Sequence, residues 1–140
     1  MIVFSGCEDF EEELKPDYIY VEDELYVQLC TRENNETYWI RDALVKGEIE
    51  KDGGERVSEI MKTGYGGVGE PTLKHSFKLY KGESFVCYAN PILGSLNNFS
   101  DYTFSSDVHT YTWDVVSFQT EMGLTKNYYP QLTIIGVKNS

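Results

Sequence analysis

The sequence predicts an all-β fold: a single β-sandwich, Ig-like or related, of about seven to eight short antiparallel strands. Three observations carry this. Phe, Tyr and Trp make up 14% of the 140 residues, and aromatic and β-branched side chains suit a pleated, half-buried surface. Apolar residues recur with period two in short runs. Turn-forming clusters separate those runs, and no long amphipathic helix interrupts them.

The elements follow in order. Residues 1–16 form an acidic N-terminal tail or tether ending at Pro16, and residues 17–140 form the β-sandwich domain. Tyr18–Val21 and Leu25–Leu29 are strand-forming runs, and the stripe Leu25, Val27, Leu29 is the expected core face. An Asn pair marks residues 31–36 as a loop. Tyr38–Ile40 and Leu44–Val45 continue the pattern up to the turn KDGG at 51–54. The segment Glu55–Lys62 is too short for periodicity to choose between strand and helical turn. Leu73, His75, Phe77 and Leu79 then alternate with polar residues, as do Phe85, Cys87 and Ala89, so Thr72–Asn90 predicts a hairpin closed by Lys81–Glu83. His109–Phe118 and Leu132–Val137 supply the last two strands.

The formal net charge is −11, from 23 acidic against 12 basic residues. Nine of the acids fall within the first 24 residues, opposed there only by Lys15. Such a surface repels phosphate backbones and anionic bilayers, which argues against nucleic acid as a partner.

No catalytic motif emerges. GYGGVG at 64–69 matches a dinucleotide fingerprint in its glycines, but Glu70-Pro71 follows where the phosphate-binding helix must begin, so it reads as a loop whose mobility could serve binding. Cys87 and His75 lie diagonally across the expected hairpin, too far apart for a nucleophile and its base, and read as core. Asp107 and His109 share a strand face, yet two ligands do not make a metal site. No catalytic residue, metal ligand or cofactor is therefore assigned.

The aromatics carry the candidate binding surface. Tyr38, Trp39, Tyr111 and Trp113 are the candidate binding residues, beside the pair Tyr128–Tyr129, because exposed Tyr and Trp offer apolar area with a polar edge. Against this, a β-sandwich buries a core tryptophan, the favoured reading for at least one of Trp39 and Trp113. Cys30 and Cys87 are a candidate disulfide across the sandwich. Cys30, however, falls on the strand face opposite the Leu25, Val27, Leu29 stripe.

Val3–Cys7 and the acids that follow, Cys7–Glu13, resemble the signal end and acidic stretch of Bacteroides-type bacterial surface lipoproteins. The resemblance covers about ten residues. It implies lipidation at Cys7, a short acidic tether, and display at the cell surface or outer membrane. The membrane would then be engaged only through the lipid. A signal of this kind also needs a basic and an apolar region upstream of Met1–Gly6.

The sequence thus leads to a non-enzymatic cell-surface module, tethered as a lipoprotein, that binds a protein or glycan partner. A structural accessory subunit of a larger assembly, such as a virion or appendage, is the alternative, and a small hydrolase the third reading.

Overall fold

The computed structural model describes residues 17–140 and forms an all-β sandwich of two sheets. Cys7 and the acidic tail lie outside the described residues.

The first sheet is organised around one long strand, β1 (Tyr18–Glu33). It pairs antiparallel with β6 (Leu73–Tyr80) and then β2 (Glu36–Trp39) along one edge. Along the other edge it pairs in parallel with β10 (Thr125–Tyr128) and then β11 (Gln131–Lys138). β8 (Tyr102–Ser105) adds to β11. The second sheet runs in the order β5 (Gly69–Glu70), β4 (Arg56–Thr63), β3 (Leu44–Lys51), β7 (Ser84–Pro91), β9 (Asp107–Thr112).

The core follows period two. Ile19, Val21, Leu25, Val27 and Leu29 of β1 face Val45 and Ile49 of β3, Met61 of β4, and Phe85 and Cys87 of β7, all at 0% exposure. The expected Leu25, Val27, Leu29 stripe is the core face.

Several expectations are corrected. The acidic run Glu22–Asp23–Glu24 does not divide the first strand. Glu22 and Glu24 point outward, and Asp23, forced by the same period onto the inner face, is buried. The pairing is mixed rather than all antiparallel, and the described residues form eleven strands, several of only two to four residues. Residues 56–63 form a strand.

The expected hairpin over Thr72–Asn90 does not form. Its two strands alternate as anticipated, but β6 pairs with β1 whereas β7 pairs with β3 and β9. The turn at 81–83 therefore crosses from one sheet to the other, held by Glu83 N–H to Tyr80 O at 2.9 Å and Lys81 N–H to Asp17 O at 2.7 Å.

The strand expected over His109–Phe118 ends at Thr112. Trp113–Val116 is a single helical turn, α1, that buries Trp113 and Val116. Nor does the candidate Cys30–Cys87 disulfide form: both thiols are free and buried. Cys30 pairs with Trp39 and Ile135 on the outer face of the first sheet, whereas Cys87 faces the core from the second.

The GYGGVG segment is a short turn packed at Gly67 and Gly69, with Tyr65 exposed. Gly67 is buried with φ +71°, and a Cβ there would lie 2.4 Å from the Leu29 carbonyl oxygen and 3.2 Å from the Trp39 ring. Only glycine fits so close an approach in that conformation.

Candidate functional site

The sandwich is open on one side, between β10 at the edge of the first sheet and β9 at the edge of the second. A cleft of about 500 Å³ lies there, lined by Tyr111 of β9, by Lys126 and Tyr128 of β10, and by Tyr129 and Gln131 beyond it.

Local pattern places each wall. On β9, Asp107, His109 and Tyr111 pair with Ala89, Cys87 and Phe85, so all three face inward at the rim. Tyr111 stacks on Phe85 at 5.2 Å and meets Tyr128 edge-on at 5.3 Å. Tyr128 in turn is edge-on to Phe85 at 6.1 Å. Burial raises the pKa of both phenols, with the neighbouring Cys87 and Asp23 adding to it. Both hydroxyls therefore stay protonated and able to donate. Tyr129 is 56% exposed and leans on Tyr26 at 6.5 Å, a ring offered to solvent.

The floor behind the tyrosines is unusual. Asp23 is 2% exposed, and one carboxyl oxygen, Oδ1, has no hydrogen-bond partner. The other lies 3.9 Å from the Cys87 thiol, which donates to it. Burial pushes the Asp23 carboxyl up to about 7, only partly offset by that thiol. In turn, burial and the adjacent Asp23 raise the Cys87 pKa far above the ordinary thiol range. Cys87 also pairs with His109, whose Nε2 lies 3.0 Å from Asp107 Oδ1. A Cys, a His and an Asp thus stand together, but a nucleophile needs an accessible thiolate. Cys87 is closed off and held as a thiol.

His75 pairs with Asp23 from β6, and its Nε2 lies 3.2 Å from Glu55 Oε1 without hydrogen-bond geometry. Asp107 Oδ2 accepts the Thr133 N–H at 2.9 Å, which ties the rim of β9 to β11. Its role here is to join strands. Among the described residues, no group of three or more His, Cys, Asp or Glu side chains could hold a metal ion.

The sequence-derived aromatics separate into three places. Tyr111 lines the cleft. Trp113, expected as a binding residue, is 9% exposed and belongs to the core because α1 turns it inward. Tyr38 and Trp39 are 53% and 44% exposed on β2, at the opposite edge of β1 from the cleft, where Trp39 covers Gly67. The structure does not bring them to Tyr111. Asp23 escaped the sequence reading altogether, although its odd-numbered position on the Val21 and Leu25 face was the available signal.

A second, smaller depression of about 200 Å³ lies at the first sheet, among Glu22, Glu24, Lys74, Ser76, Asn127 and Tyr129 of its outer face, and reaches Asp23 and His75 beneath them. Asn127 and Tyr129 border both depressions.

No family model matches the chain, and no curated protein does. Among solved structures it is similar to the pilus-presented adhesin Spy0125 (Cpa), studied as a point mutant. The identity is 10% and the TM-score 0.35, over 91% of this chain. The chain spans 29% of the length of that adhesin. A likeness at this TM-score carries no functional argument.

Proposed function

We propose that the chain is a non-enzymatic binding module whose ligand, a protein or a glycan, enters the cleft between β9 and β10. The observation that supports this reading most directly is the open cleft itself. Tyr111 and Tyr128 line it from within, and Tyr129, Asn127 and Gln131 border it, a mix of rings and hydrogen-bonding groups usual in a recognition site. The closed, protonated Cys87 supports binding over covalent catalysis. Lipidation at Cys7, on the resemblance of residues 3–13, would display the module at a cell surface.

The test is a binding screen of the full chain against peptide and oligosaccharide panels, followed by amide NMR shifts. Ligands should perturb Tyr111, Tyr128 and Tyr129, and Tyr129→Ala should weaken them by about tenfold, as removal of a stacking ring does. Binding that leaves these residues unmoved overturns the assignment.

A second reading, a structural accessory subunit, is favoured by one observation. Val115, Phe118, Met122 and Leu124 are 41–66% exposed within one short segment, and contiguous apolar surface marks association sites. A monodisperse monomer at high concentration removes that reading.

A further inference from the structure

The cleft and the outer-face depression meet across β10, which is one strand wide there and forms an edge of the first sheet. Glu22 stands at the centre of the outer face. Its partner on one side is Asn127 and on the other Ser76, which makes a continuous row of hydrogen-bonding side chains across β10, β1 and β6. At the spacing of neighbouring strands that row spans ~10 Å. The next row pairs Glu24 with Lys74. Glu24 already accepts the Thr72 hydroxyl at 2.6 Å, whereas Glu22 and Ser76 are exposed. Tyr129 stands at the junction as the exposed ring common to both depressions.

The chemistry of the lining separates ligand classes. Among the described residues, neither depression is lined by Leu, Ile, Val or Met. Peptides draw affinity from apolar side chains set into pockets. Exposed aliphatic side chains such as Ile60, Leu93, Val115 and Leu124 line neither depression. What remains is aromatic rings and Pro130 together with carboxylate, amide, hydroxyl, imidazole and ammonium groups. Such a set matches a chain of rings with one apolar face each and hydroxyls around the perimeter.

We propose that the ligand is an extended oligosaccharide that starts in the tyrosine cleft, stacks over Tyr129 and crosses β10 into a distal subsite built from Asn127, Glu22 and Ser76. The proposal rests on the binding reading above and names its ligand class. The outward carboxylate of Glu22 accepts hydrogen bonds from sugar hydroxyls, and Lys74 and Asn127 donate to ring and hydroxyl oxygens. Asp23 and His75, on the inner face beneath this row, also line the depression.

The experiment titrates the isotopically labelled full chain with neutral gluco-, manno-, galacto- and N-acetylglucosamine-based oligosaccharides of one to six units. Monosaccharides should shift only cleft amides, around Tyr111 and Gln131. Longer members of the binding series should also shift Glu22 and Ser76 and bind progressively tighter. Glu22→Gln should weaken the longest ligand by about tenfold, the worth of one charge-assisted hydrogen bond, and leave the monosaccharide unchanged. Affinity independent of length and of Glu22 would overturn the distal subsite. Peptides binding in the cleft while every sugar series fails would overturn the glycan class and leave the binding reading standing. Failure of both classes would remove both.

Discussion

Replacing Asp23 with asparagine should stabilise the protein, and only above a defined pH. The carboxyl is nearly completely buried, has one unpartnered oxygen, and faces Cys87 of β7 across the core. Its neighbours across the first sheet are His75 of β6 and Tyr128 of β10. In the unfolded chain Asp23 ionises near 3.8, in the folded protein only at about 7. Below pH ~4 it is neutral in both states and contributes no cost. From there to pH 7 the unfolded state is stabilised by ionisation and the folded state is not, so folding stability falls as pH rises. Above 7 both states are ionised and the loss stops growing. At ~1.4 kcal/mol per pH unit the full penalty is ~4 kcal/mol.

The assay is urea unfolding of the parent and the Asp23→Asn variant, followed by tryptophan fluorescence, at intervals from pH 5 to 8.5. Ionisable groups remote from Asp23 are common to both proteins and cancel in the difference. The variant should gain on the parent by ~3 kcal/mol between pH 5 and 7, with a plateau beyond. Parallel profiles would refute a buried carboxyl that resists ionisation.

Other outcomes follow from the same geometry. Trp113→Ala should cost ~3–5 kcal/mol through the cavity it leaves, whereas Trp39→Ala, at a half-exposed ring, should cost less. Acrylamide should accordingly quench Trp39 and spare Trp113. Gly67→Ala should destabilise by ~2–4 kcal/mol, because its Cβ meets a backbone oxygen in a left-handed conformation; thermal melts check it. In a Cys7→Ser background, Cys30 and Cys87 should resist a thiol reagent at pH 8 until the chain is unfolded, then react in full. Prompt reaction of either in the native protein would contradict their burial.

How far these features could be read in advance depends on what period two reports. Alternation tells which face of a strand is buried. It therefore located the core sides of Leu25–Leu29, Leu73–Leu79 and Phe85–Ala89. It is silent on which strand lies alongside, because register and partner are set by tertiary packing. Hence β6 and β7 resembled a hairpin although they belong to different sheets, and the parallel pairing of β1 with β10 and β11 left no local trace. Tyr111 stood out by its aromatic neighbours, but Trp113 was carried with it as though the strand continued past Thr112. Asp23 was hidden by composition: between Glu22 and Glu24 it reads as part of a solvated acidic run, and only strict alternation sets it apart. The cleft itself joins β9 to β10, segments whose proximity depends on two edges meeting across the sandwich.

The place of β1 at the centre of the first sheet bears on biosynthesis. It is the earliest of the described strands to leave the ribosome, yet its partners β6, β10 and β11 are made about 50 to 110 residues later. Until β11 emerges, the apolar face of a sixteen-residue strand has no complete sheet to join. The domain should therefore fold only after its synthesis is nearly finished, by slow long-range closure. A nascent chain stalled before Gln131 should remain protease-sensitive and bind holdase chaperones, whereas one released after Lys138 should not.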